Sequence, residues 1–154
     1  MSFASPLSPK QKVVWSLLNE GFSTSEVAER LKTSLQYVHQ TRRAAEAKLL
    51  MALMDAAKAS NIQIRKVLPE AGVLWGYNPG IKQDAIITYT TKHGIKVWYW
   101  YDKPEEIKDD EFLRETRDYL ISLAEERRIE LKEEEKEIHP AKLANLIFNR
   151  LARR

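Results

Sequence analysis

Apolar residues recur at helical spacing through the first sixty residues. Val14, Leu17 and Leu18 form one set, Val27, Ala28 and Leu31 a second, and Leu35, Val38, Ala45 and Leu49 a third. Breaks fall at Gly21 and at Lys32-Thr33-Ser34, so the pattern predicts three helices. Start signals agree with it. Ser8-x-x-Gln11, with Pro9 at the first helical position, opens the first helix. Ser23-x-x-Glu26 opens the second and Thr33-x-x-Gln36 the third. In each pair the hydroxyl can accept from an orphan backbone N–H while the later side chain reaches back. Gly21 is placed to end the first helix in a left-handed conformation.

The third helix has no reason to stop early. Ala44 to Ala59 contains neither Gly nor Pro and is rich in Ala and Leu, which predicts one helix of about 25 residues. Its second half is apolar on more than one face, an expectation of burial on several sides, against the rest of the chain or a second subunit. Ser60-Asn61 marks a boundary, after which Ile62 to Leu68 alternates as a strand does. Pro69, Gly72, Gly76, Asn78, Pro79 and Gly80 predict an irregular connection around Trp75 and Tyr77. Two β-branched and aromatic runs follow, from Asp84 and from Ile95, joined by Lys92-His93-Gly94 as a hairpin. In the second run Val97, Tyr99 and Tyr101 share one face and Trp98 and Trp100 the other, and Pro104 ends the sheet.

Asp109-Asp110-Glu111 places acids at a helix N-terminus. Phe112, Leu113, Thr116, Tyr119, Leu120, Leu123 and Ala124 continue it as an apolar stripe. A charged stretch from Glu125 to Glu137 reads as a solvated helix face or linker. His139-Pro140 breaks it, and Leu143, Leu146, Ile147 and Leu151 mark a last amphipathic helix. The predicted fold class is therefore α+β. A tri-helical helix-turn-helix head with an extended third helix occupies residues 1–60. A small mixed α/β domain with a β-hairpin and C-terminal helices, for dimerisation or effector binding, occupies residues 61–154.

Charge adds a direction to this pattern. The whole chain carries only +3, but residues 105–137 hold seven Lys/Arg against fourteen Asp/Glu, while residues 1–60 hold eight against five. Between Arg30 and Ala45 there are four basic residues and no acidic one. A basic surface around a recognition helix is the footprint of phosphate contact, and the acidic segment is expected to face away from DNA. There is no cysteine, which excludes disulfides and thiolate zinc sites. The first ten residues, MSFASPLSPK, form no apolar leader core, and no run approaches a membrane span, so the expected location is cytoplasmic. Lys and Glu enrichment without cysteine also suits a thermophile.

The run Gly21-x-Ser23-x-x-Glu26-Val27-Ala28-x-x-Leu31-x-x-Ser34-x-x-x-Val38, followed by Lys48-Leu49, resembles the LuxR-type helix-turn-helix. It is similar also to the DNA-reading domain of sigma factors. The resemblance covers residues 7 to 50. Thr41 stands where the family often has His or Tyr, and Arg42 and Arg43 make the third helix more basic than the pattern. With the head first and a mixed α/β part behind it, the layout resembles the archaeal Tfx-type regulators. The resemblance implies double-stranded DNA as partner, a homodimer reading two half-sites, contact with the transcription machinery, and regulation at promoters.

On that expectation, residues of the third helix turned away from its apolar stripe meet the major groove. Gln36, Gln40 and Arg43 are candidates for base readout, because Gln pairs in a bidentate way with adenine and Arg with guanine. Lys32, Thr33 and Arg42 suit phosphates, which position without specifying. Ser34, Tyr37 and His39 complete the DNA-facing set, His39 with a minor contact. The same residues also fit the solvated polar face of an ordinary helical domain. Trp75, Trp98 and Trp100 are read as packing residues, or as an aromatic pocket for an effector. Arg150, Arg153 and Arg154 keep the C-terminal end soluble or touch phosphate. His39, His93 and His139 lie far apart, and no Walker loop, dinucleotide fingerprint or nucleophile elbow is present. Neither enzyme activity, nor a cofactor, nor a metal site is expected. A ligand-sensing regulator and a protein-interaction module with a repurposed head remain alternative readings.

Overall fold

The computed structural model describes residues 5–100 and 108–153. Its fold is mixed α+β. In chain order the elements are α1 (Pro9–Asn19), α2 (Thr24–Arg30), α3 (Leu35–Ala59), β1 (Gln63–Leu68), β2 (Val73–Asn78), β3 (Gln83–Thr90), β4 (Gly94–Tyr99), α4 (Asp110–Glu126), a 3-10 turn at Glu135–Glu137 and α5 (Pro140–Ala152). The expected end of the sheet at Pro104, the facing of Tyr101 and the terminal Arg154 lie outside the described residues.

Local chemistry sets where the helices begin and end. Ser8 and Ser23 each form the full reciprocal capping box, with Gln11 and Glu26. Gly21 holds φ 101° just past α1. Its N–H donates to the Leu18 carbonyl (3.1 Å) and the Phe22 N–H to the Leu17 carbonyl (3.2 Å), which is the Schellman closure. The same pair of bonds closes α2 at Lys32, α3 at Asn61 and α4 at Arg128, all non-glycine residues with φ of 54° to 57°. Only the cap of α3 departs from expectation. Ser34, not Thr33, accepts from the Tyr37 N–H (3.1 Å). The Schellman turn of α2 uses the Thr33 N–H to reach the Ala28 carbonyl (2.9 Å), and this delays the start of α3 by one residue.

The chain divides into two compact units, residues 1–99 and 100–154. The sheet therefore groups with the three helices, whereas the expected boundary lay at Ser60-Asn61. In the first unit α3 is the spine. Its buried positions Val38, Ala45, Leu49, Leu53 and Ala57 make one stripe along 25 residues and join three apolar clusters in turn. Val38 meets Val14, Val27 and Ala28, with Leu17, Leu18, Phe22, Leu31 and Tyr37 around them. Ala45 and Leu49 meet Leu7, Trp15 and Tyr89. Leu53 and Ala57 meet Ile62, Leu74, Ala85 and Ile87. Within this unit the second half of α3 is thus buried along one stripe. Met51 and Met54 remain 67% and 43% exposed.

The sheet is an antiparallel meander, β1-β2-β3-β4. The hairpin of β3 and β4 matches expectation, and Val97 and Tyr99 share the face toward α3 with Ile87 and Ala85. The expected irregular connection at residues 69–80 is instead β2, paired on both sides. Gly76 does not break the sheet; it leaves a gap in it. A β-carbon there would press on Ile62 Cγ2 and the Gln63 carbonyl oxygen, beside the irregularity between Ile64 and Lys66 in β1. Small size, not flexibility, is what this position requires.

Two hydrogen bonds tie the turn between β1 and β2 to α1. The buried Asn19 donates to the Glu70 carbonyl (3.0 Å) and Trp15 Nε1 to the Pro69 carbonyl (3.4 Å). Trp15 also meets Tyr89 edge-on, with ring centroids 5.2 Å apart.

In the second unit α4 packs on α5. Asp109 caps α4 by accepting from the Phe112 N–H (3.1 Å). The Glu125–Glu137 stretch leaves the helix at Arg127 and ends in the 3-10 turn. Arg150, expected to keep the C-terminal end soluble or to touch phosphate, donates to the Glu130 carbonyl (2.7 Å) and the Glu135 carboxylate (2.9 Å). His139 caps α5 through Nδ1, accepting from the Ala141 N–H (3.2 Å), with Pro140 as the first helical residue. No described helix is long and apolar enough to cross a membrane.

Candidate nucleic-acid interface

The junction of α2 and α3 is four residues long, Leu31 to Ser34, and is set by local hydrogen bonds. Lys32 turns the chain through the left-handed region, Thr33 closes the last turn of α2, and Ser34 opens α3. The first turns of α3 consequently stand at the surface, held from behind by Val38.

Two shallow grooves flank this end of α3. The first, about 470 Å³, is lined by Leu35, Gln36, His39, Arg42 and Arg43. The second, about 430 Å³, is lined by Lys10, Val13, Val14, Leu31, Lys32, Thr33 and Tyr37. The expected DNA-facing residues are thereby sorted. Gln36, His39, Arg42 and Arg43 come together on one face, and Lys32, Thr33 and Tyr37 on another. Gln40 is exposed but lines neither groove, and Ser34 is spent on the cap. Tyr37 does not turn fully outward, since it packs against the head cluster and is half-buried.

Two residues were missed by sequence reasoning. Leu35 was placed in the apolar stripe, yet it is 44% exposed, because it precedes the first turn that α1 and α2 cover. Lys10 gave a faint signal, a cation in a helix first turn where the helix dipole disfavours it.

The electrostatics of the first groove are shaped by one acid. Burial raises the Glu46 carboxyl above its usual range; nearby Arg42 pulls it back, and Glu70 adds to the rise. Arg42 Nε is buried and has no hydrogen-bond partner among the described residues. Arg43 is exposed, one turn beyond His39. Further along α3, Lys48 Nζ donates to Gln11 Oε1 (3.1 Å).

No protein-family model matches the chain, and neither curated proteins nor solved structures give a match. The functional reading therefore rests on these side chains.

The tryptophans do not form one cluster. Trp75 and Trp98 sit in one cross-strand row on either side of Ile86, which is fully buried. Lys66 Nζ lies 5.3 Å from the Trp75 ring centroid. Trp100 belongs to the second unit, edge-on to Phe148 at 5.6 Å. That unit has a groove of about 520 Å³ lined by Asp110, Arg114, Arg117, Glu137 and His139 among others. Its mixed charge presents no single sign to a ligand. Among the described residues no group of three or more His, Cys, Asp or Glu is arranged to hold a metal ion.

Proposed function

We propose that this protein is a sequence-specific regulator of transcription that reads double-stranded DNA through the first turns of α3. One observation carries the reading: Gln36, His39, Arg42 and Arg43 line a single groove on the surface of a Ser34-capped helix. No acidic residue lies between Arg30 and Ala45. Amide and guanidinium groups on one helix face supply the bidentate donors and acceptors that a major groove offers partners for. The second groove supplies the complementary part. Lys10 and Lys32 across the short junction suit two phosphates, and Tyr37 and Thr33 add hydroxyl donors. The resemblance of residues 7 to 50 to LuxR-type heads points the same way. Two copies on one duplex, contact with the transcription machinery and a cytoplasmic location complete the proposal. The chain acts by occupancy and not by catalysis.

Selection of bound duplexes from a random DNA library, repeated across a salt series, tests it. The expected result is an enriched pair of half-sites, with affinity falling steeply as salt rises. Retention without enrichment would remove sequence specificity and leave an architectural binder. No retention even at low salt would overturn the DNA reading in favour of a protein-interaction module.

A further inference from the structure

The exposed side of α3 continues past the readout turns with a different chemistry. Ala44, Ala47, Met51, Met54 and Lys58 are all exposed and fall at alternating spacings of three and four. That is the a/d spacing of a helix that pairs with another helix. The buried stripe of α3 lies on its opposite side, so this seam is separate from the core of the unit. Two charges border the seam on one flank, Lys48 and Asp55, seven residues apart and both exposed. At seven residues along one helix they are about 10 Å apart and do not pair with each other.

We propose that this seam is the contact for a second copy of the chain, with the two α3 helices antiparallel about a two-fold axis between Ala52 and Leu53. Met51 of each copy then faces Met54 of the other. In that register Lys48 comes within about 3 Å, measured along the axis, of the level of the partner's Asp55, and symmetry makes the ion pair twice. A parallel pairing would put the two charged flanks on opposite sides of the interface, so neither ion pair would form. Charge complementarity thus selects both the occupant and the direction. Lys48 keeps its bond to Gln11, since an ammonium has three protons to donate.

The arrangement is also compatible with the function proposed above, whose two-copy form it completes. The groove of Leu35, Gln36, His39, Arg42 and Arg43 lies about a quarter turn round α3 from the seam. Helices paired edge to edge about such an axis therefore turn both grooves to the same side. Their centres fall about 40 Å apart along the helices, on the scale of half-sites one turn of DNA apart (about 35 Å). A single helix pair buries less than the ~1,200 Å² of a standard stable interface, so the free dimer is weak and its formation concentration-dependent.

The test needs no DNA, so its failure is distinct from failure of the DNA reading. Sedimentation equilibrium of the full chain is expected to show a monomer–dimer equilibrium in the micromolar range. Met51→Glu, at an exposed site, is expected to weaken it at least tenfold with an unchanged circular-dichroism spectrum. Lys48→Asp and Asp55→Lys are each expected to weaken it, and the double exchange to restore it to within about threefold of the wild type. A monomer at several hundred micromolar, a dimer indifferent to Met51→Glu, or a double exchange no better than the single ones would each overturn the proposal.

Discussion

Lys32 holds φ 54°, a conformation that costs a residue with a β-carbon about 1 kcal/mol relative to glycine. Glycine stands in the equivalent position after α1 and is absent here, although the turn itself is the same. A cation at that point, lining the second groove beside Thr33, suits phosphate contact. Lys32→Gly is therefore expected to raise the melting temperature while weakening all DNA sequences alike and lowering the salt slope by about one. Calorimetry and salt-dependent binding on the same sample measure the two effects. Arg43→Ala is expected to behave oppositely. It leaves stability unchanged, since the side chain is exposed, and relaxes choice at one base pair by about 1–3 kcal/mol. If both variants lost specificity equally, the division between the two grooves would be wrong.

Among the elements, α3 carries both the candidate interface and the buried stripe of the first unit, and its N-terminal cap sets where the interface begins. Ser34→Ala removes the acceptor for the Tyr37 N–H and is expected to cost about 1 kcal/mol, with Thr33→Ala costing less than half of that. Urea denaturation of the two variants separates them, and equal losses would return the cap to Thr33. Further along the helix, Glu46 has its carboxyl raised by burial. A raised acid pKa means that the folded state holds the proton more tightly, so the ionised side chain costs stability. That cost is present in full above the folded pKa and vanishes as pH falls below the unfolded value. Glu46→Gln is accordingly expected to be more stable than the wild type near pH 7, with the gap closing by about pH 4. A gap that widened on acidification would contradict the sign.

For the first unit as a whole, the head and sheet share α3 and are laced by Asn19 and Trp15 to the turn at Pro69 and Glu70. A chain ending at Ser60 would leave Leu49, Leu53 and Ala57 without Tyr89, Leu74 and Ile87. Such a fragment is expected to keep α1, α2 and the start of α3 at best, with the rest of α3 frayed. Residues 1–99 are expected to melt in one cooperative transition. Amide exchange on the two lengths distinguishes these outcomes, and full protection of Ala45 to Ala57 in the shorter chain would show an independent head. Asn19→Ala is expected to cost about 1 kcal/mol, because it removes the hydrogen bond from this buried side chain to the Glu70 carbonyl.

Local rules made the helices legible. Capping residues, helical periodicity and the left-handed closure at Gly21 act within a few residues, so α1, α2 and the full 25-residue span of α3 could be read from the chain. The hairpin of β3 and β4 was legible for the same reason, as was the polar face bearing Gln36 and Arg43. The strand β2 was not, because glycine and proline there carry the local signature of a loop while the distant Ile62 gives Gly76 its purpose. Nor could spacing say that Leu35 is bare and Tyr37 is not, since both depend on where α1 and α2 stop covering α3. The line between the units likewise belongs to tertiary structure. Ser60-Asn61 ends a helix, but whether a helix end is also a domain end is decided by what its buried stripe packs against, and here that is the sheet that follows.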